Sequence, residues 1–316
     1  MKKTLISAAL VAATFTGAAA ADVPETRKPI KFAVGDWTGI FLSTGIARAV
    51  LEDMGYRTDE VVSDASAWWP AMEGGDIDVS LEAWTTVWRV AIDEAEAAGQ
   101  IEVLGELGLQ GIETWWYPAY VEELCPGLPD YTALQNCSEV FATAETNGRG
   151  RYLAGPVSWG GNEEERVAAL GLDFEIVHAG TDAAMFAELD SAYARQEPII
   201  MWLWAPHWAP VKYEGSFVEF PPYTPECVDD PSWGVNPDLA YDCDKPTGPV
   251  MMISSPAARD TWPCAIQTIE NINMSNDEYG ALWGQVDLEG MEVEEVVEAW
   301  MAENQDRWKS WQACQG

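Results

Sequence analysis

Positive charge and histidine are what this 316-residue chain has least of. Seventeen Lys and Arg stand against 52 Asp and Glu, a formal net charge of −35. So acidic a surface repels phosphate backbones and anionic headgroups, which argues against nucleic acid and membrane surfaces as partners. It suits a solvated surface in salty surroundings, or a cationic partner. The only histidines are His178 and His207. That leaves little for imidazole chemistry, and a packed structural role is the simpler reading of His207 beside Pro206. No two cysteines stand as CxxC, so neither a zinc ribbon nor a thioredoxin-like motif is supported. Gly155 to Gly160 lacks the spacing of a GxSxG nucleophile elbow, and Gly148-Arg149-Gly150 is no dinucleotide fingerprint. Repeats and low-complexity tracts are absent too.

Long apolar runs are also missing. Leu5 to Phe15, after Lys2 and Lys3 and before Ala18 to Ala21, is too short to span a bilayer and reads as an export signal. Residues 1–21 are therefore set apart from the fold. No cysteine lies at the cleavage point, which argues against a lipid anchor there. Cleavage would leave 15 basic residues and a net charge of about −37. The six cysteines, an even count in an exported chain, point to disulfides and allow fifteen pairings. Short loops favour Cys125 with Cys137 and Cys227 with Cys243, which leaves Cys264 with Cys314.

The pattern of elements is α/β. Strands are expected at 31–36, 60–62 and 77–81, with helices at 39–54, 67–72 and 88–98. This alternation is the signature of a parallel sheet. A second, smaller set follows, with strands at 152–157, 174–178 and 199–204 and helices at 163–170 and 182–193. Residues 226–249, rich in Pro, Asp and Gly, read as loop. Two helical stretches, 257–272 and 293–311, close the chain. Crossings between the sets fall near 113–120 and 213–222. The expected division is one discontinuous lobe (22–113 plus 218–316) and a second lobe (114–217), closing by hinge bending on a ligand.

Seventeen tryptophans are present, and Trp37, Trp84, Trp159 and Trp204 fall where a strand hands over to a loop or helix. In open α/β sheets the carboxyl ends of strands face the ligand crevice. Indoles gathered there form a box suited to a methylated ammonium group, whose methyls spread charge and offer no N–H donor. Core packing is the competing reading for any one of them. Trp115 and Trp116 are adjacent and point opposite ways on an extended segment; Trp116 is the candidate for the box. Trp262, Trp300, Trp308 and Trp311 lie on helical stretches and read as core. Glu113 stands before the first crossing. A carboxylate in a dry cleft repels a second carboxylate, which disfavours glycine betaine. It can share a proton with an N-oxide oxygen or accept a hydroxyl, unless it points to solvent. Asp230, Asn236, Asp238 and Asp242, on the loop closed by Cys227 and Cys243, offer oxygen donors for a structural calcium ion. The spacing is not that of an EF-hand, and a solvated acidic loop is the alternative.

Taken in order, Gly35-Asp36-Trp37-Thr38, Val79-Ser80-Leu81-Glu82-Ala83-Trp84, Trp115 to Val121, Gly155-Pro156-Val157-Ser158-Trp159 and Trp202-Leu203-Trp204-Ala205-Pro206-His207 resemble the substrate-binding proteins of betaine and choline ABC importers. Within that group the chain is most similar to the trimethylamine N-oxide binders of marine bacteria. The resemblance covers nearly the whole chain after residue 21. It implies a two-lobed periplasmic-binding-protein fold (type II), with parallel-rich sheets flanked by helices and a ligand cleft between the lobes. It also implies a periplasmic monomer with no catalysis and no cofactor, which delivers its ligand to an inner-membrane permease. Trp37, Trp84 and Trp204 match the group's aromatic positions, and Trp159 the corresponding loop of the second lobe. Similar marine binders are expected to hold calcium near the hinge. Trimethylamine N-oxide is the expected ligand, then choline and glycine betaine; the competing class is an exported enzyme acting on methylated amines.

Overall fold

The computed structural model describes residues 23–314; the expected export signal lies outside them. The first stretch alternates as expected: β1 (Ile30–Val34), α1 (Thr38–Asp53), β2 (Thr58–Val62), α2 (Trp68–Gly74), β3 (Val79–Trp84) and α3 (Thr85–Ala97). Strand β4 (Glu102–Pro118) follows, with the short β5 (Pro126–Pro129) and α4 (Leu134–Cys137) after it. Next come β6 (Gly150–Ala154), α5 (Glu163–Ala169), β7 (Phe174–His178), α6 (Asp182–Arg195), β8 (Ile200–Ala205), α7 (Ala209–Lys212) and β9 (Gly215–Phe217). The last part holds α8 (Glu226–Asp229), β10 (Gly248–Ser254), α9 (Ala258–Thr261), α10 (Pro263–Glu270), α11 (Asn276–Asp287), α12 (Val293–Glu303) and α13 (Gln305–Trp311).

Among the described residues the strands form a nine-stranded sheet in the order β2-β1-β3-β10-β4-β8-β6-β7, with β9 also on β4. Parallel pairing of β1 with β2 and β3, and of β6 with β7 and β8, gives each half the crossover pattern read from the sequence. Strand β8, buried on both faces, reads as a near-continuous apolar run, Ile200-Met201-Trp202-Leu203-Trp204. The two halves meet on β4. Its first part pairs with β10 and its last part with β8 and β9, all antiparallel. The expected crossing at 113–120 thus falls mostly on the end of a 17-residue strand shared by both halves.

Several expectations change. Strand β10 begins inside the segment read as loop and lies between β3 and β4. The stretch 257–272 is two helices, broken at Trp262 before Pro263, because proline lacks the N–H a helix interior needs. Helix α11 was not expected; Ser275 caps it by accepting from the Glu278 N–H at 3.3 Å. Helix α1 lies against α11 and α12, so the C-terminal part completes the core of the first half. The three disulfides join Cys125 to Cys137, Cys227 to Cys243 and Cys264 to Cys314, the pairing that loop length favours.

Candidate ligand-binding site

Side chains two apart on a strand share a face, so the buried β3 presents Glu82 and Trp84 together at its carboxyl end. Trp37 sits at the end of the loop from β1 to α1, and Trp159 in the loop from β6 to α5. Both rings fold back over a glycine: a Cβ on Gly35 would stand 2.2 Å from the Trp37 ring, and one on Gly155 2.4 Å from the Trp159 ring. Only a residue without a side chain permits that approach. Trp204 comes from the end of β8.

These elements converge on a small cavity lined by Trp37, Trp84, Val87, Trp88, Glu113, Trp159 and Trp204. Trp159 is the centre of the aromatic contacts. Its ring lies edge-to-face with Trp37 at 6.1 Å and with Trp204 at 5.4 Å between centroids. Trp88, on α3 one turn past Trp84, adds a wall that the sequence reading placed only within a helix. Trp68 backs it, 5.8 Å from Trp88 and 5.7 Å from Trp37.

Polar contacts tie this ring of indoles across the sheet halves. Trp159 Nε1 donates to Asp36 Oδ1 at 2.7 Å, and Trp88 Nε1 donates to the Trp159 carbonyl at 3.1 Å. The Thr38 N–H donates to Asp182 Oδ2 at 3.1 Å. Burial pushes the Asp182 carboxyl up to about 6, with the Thr38 N–H opposing and Asp287 adding to the shift. Glu82, which the sequence reading left as a member of a motif, is fully buried behind the box. It accepts from Trp37 Nε1 at 2.8 Å, Trp84 Nε1 at 3.1 Å, Ser43 Oγ at 2.6 Å and Tyr279 OH at 2.5 Å.

Glu113 lines the cavity and is 7% exposed, which removes the reading that it points to solvent. Thr86 Oγ1 donates to its Oε1, and Trp202 Nε1 to its Oε2 at 3.0 Å. Burial raises its carboxyl above the usual range, while nearby Lys245 pulls the other way. Lys245 stands 3.0 Å from the Trp202 ring centroid and pairs with Glu163 at 2.5 Å.

Two sets of expected site residues lie apart from the cavity. Trp116 does not line the cavity. It faces away from the side of β4 that carries Glu113 and packs over Gly215, where a Cβ would stand 2.0 Å from its ring. Trp115, on the same side as Glu113, stacks on Tyr152 at 4.0 Å and donates to Glu163 at 2.7 Å, outside the cavity. The proposed calcium ligands do not converge either. Asp230 accepts from the Ser232 N–H and hydroxyl at 2.9 and 2.6 Å. Asn236 donates to the Ala169 carbonyl and accepts from the Asp238 N–H, and Asp242 is buried against the Asn236 N–H at 2.6 Å. Among the described residues no three acidic, His or Cys side chains gather as a cation would require. Asp230, Asn236, Asp238 and Asp242 organise the loop through its own hydrogen bonds. His207 is buried with Nδ1 accepting from the Ala209 N–H, a packed residue beneath Trp204.

Residues 28–303 match the family described as the substrate binding domain of ABC-type glycine betaine transport systems. The chain belongs to this family. A trimethylamine N-oxide-binding protein of Pelagibacter ubique is 30% identical over 321 residues, covering 98% of each chain. An ABC-transporter choline-binding protein solved with choline superposes with a TM-score of 0.72 at 20% identity, over 92% of this chain and 95% of that one. A lactococcal protein solved closed on glycine betaine gives 0.68 at 15% identity, over 90% and 99%. These likenesses show the two-lobed α/β fold of periplasmic binding proteins. The family is one of transporter binding domains, and no helix among the described residues is long and apolar enough to cross a membrane.

Proposed function

We propose that this chain captures trimethylamine N-oxide and presents it to the permease of an ABC importer in the inner membrane. The observation that carries the reading is one cavity lined by Trp37, Trp84, Trp88, Trp159 and Trp204 with a single buried acid, Glu113. Each well-placed indole face contributes about 0.5–2 kcal/mol to a methylated ammonium head. Glu113, raised by burial, is suited to share one proton with the N-oxide oxygen. The Pelagibacter relative bears the name of that ligand. Choline is the second reading, since its hydroxyl could donate to Glu113. Glycine betaine would set its carboxylate against Glu113, at a cost in a dry site.

On this reading the lobes divide within β4 near Glu113, as 22–113 plus 218–316 and 114–217. The bonds from Trp159 to Asp36 and from Thr38 to Asp182 hold them closed. The protein works in the periplasm as a monomer, after loss of residues 1–21, and needs no cofactor. Tryptophan quenching titrated with trimethylamine N-oxide, choline, glycine betaine and carnitine tests the ligand, and proton NMR of the mixtures tests for turnover. Saturable quenching tightest for the N-oxide, with ligand unchanged, supports the reading. Tighter binding of a carboxylate-bearing betaine, or consumption of ligand, overturns it.

A further inference from the structure

The cavity accounts for the indole faces but not for what fixes their planes. Trp37 and Trp84 come from different segments, and their N–H groups both point away from the cavity to one oxygen, Glu82 Oε2, at 2.8 and 3.1 Å. The other oxygen is held by Ser43 at 2.6 Å and Tyr279 at 2.5 Å, from α1 and α11. All four partners are neutral, and Glu82 is completely buried on a strand whose six residues are all buried. A carboxylate placed there without a cation is costly, and its four hydrogen bonds offset that cost; two of them run to walls of the ligand box.

We propose that Glu82 is a positioning residue for the ligand box: one buried acceptor that sets the tilt of two indole walls before ligand arrives. It touches no ligand. An indole has two rotational freedoms about its side chain, and a hydrogen bond at Nε1 fixes the ring plane once the Cα is fixed. Sharing one oxygen couples the two planes to each other, so both faces stay turned to the cavity in the empty protein. Donation to an acceptor of this kind also polarises each ring and strengthens its negative face. The two hydroxyls in turn hold the carboxyl group in place from the helix side. The inference rests on the box reading above, and its test separates the two.

The experiment compares Glu82→Gln and Glu82→Leu with wild type. It reads N-oxide affinity by calorimetry, melting temperature, and the indole 15N–1H signals of Trp37 and Trp84 without ligand. In Glu82→Gln the amide oxygen can still accept both indoles while its NH2 donates to Ser43 and Tyr279. Binding should weaken only about 5-fold, with both indole signals still protected from exchange. Glu82→Leu leaves two indole N–H groups and two hydroxyls without their acceptor and should melt below wild type. Where it folds it should bind at least about 10-fold more weakly, because the indole planes are no longer preset, with both signals exchanging freely. Wild-type affinity in a folded Glu82→Leu overturns the proposal, as does a Glu82→Gln that loses binding while keeping both signals protected. Should Glu82→Leu not fold, the ligand-free wild type decides: slowly exchanging signals for Trp37 and Trp84 support the role, and solvent-like exchange overturns it. Wild type that binds no methylated amine would instead sink the box reading, whatever the indole signals show.

Discussion

Replacing Trp159 by Phe separates the aromatic face from the bond across the cleft. Phe keeps a ring near Trp37 and Trp204 but loses the Nε1–H that donates to Asp36 at 2.7 Å. A hydrogen bond to a charged acceptor is worth about 1.5–3 kcal/mol. Asp36 is partly exposed, so the low end, about 1.5 kcal/mol, applies here. The weaker face of Phe costs about a further 0.5 kcal/mol against a cation. Together these give about 2 kcal/mol, or about 30-fold in affinity. If the bond forms on closure, the loss falls mainly on the dissociation rate, and the melting temperature of the free protein hardly moves. Asp36→Ala removes the same bond and should cost about 10-fold. The double variant should bind about as weakly as Trp159→Phe alone, a coupling of about 1.5 kcal/mol. Calorimetry gives the affinities and stopped-flow tryptophan fluorescence the rates. Additive losses in the double variant, or unchanged dissociation in either single one, would refute the latch.

The remaining predictions concern the acid groups and the corrected indole. Glu113→Ala should weaken N-oxide binding by about 1.5–3 kcal/mol. Its carboxyl is raised by burial, so wild-type affinity should tighten on mild acidification as the shared proton becomes available. Glu113→Ala should lose that pH dependence in a calorimetric titration. Asp182 is raised to about 6. Its charged form is therefore disfavoured in the folded state, and the penalty present at neutral pH is relieved as pH falls through 6 towards the unfolded value. Relative to Asp182→Asn, wild type should gain about 2–2.5 kcal/mol of stability between pH 7 and pH 4, measured by urea unfolding. Trp116→Phe should leave ligand affinity within about 2-fold while lowering the melting temperature, because that ring is packed away from the cavity.

Much of the candidate site was legible because the residues lining the cavity end strands. Trp37, Trp84, Trp159 and Trp204 each follow an apolar run, and strand ends in α/β folds face the crevice. Trp88 was missed because a tryptophan inside a helix reads as core; its place in the first turn after Trp84 was the available signal. Glu82 was visible as an acid two residues from Trp84 on the same strand face, but nothing in the sequence says that Trp37 and Tyr279 reach the same oxygens. Strand β4 was hidden by Gly105 and Gly108, which adopt φ of 134° and 98°. They break the apolar alternation while the bulged strand pairs on with β10. Trp116 lies over Gly215 on the opposite face of β4 from Glu113, and Trp115 stacks on Tyr152, a placement that adjacency in the sequence does not assign. In the acidic loop composition shows only the oxygens; that Asp230, Asn236 and Asp242 accept from backbone N–H groups is visible only in the structure.

Diffraction from crystals grown with trimethylamine N-oxide decides between a ligand held in the box and one held elsewhere. The ligand nitrogen should lie within about 6 Å of the ring centroids of Trp37, Trp84, Trp159 and Trp204. The ligand oxygen should lie about 2.5–2.7 Å from a Glu113 carboxyl oxygen. Ligand bound elsewhere, or held in the box with its oxygen turned away from Glu113, would contradict this placement.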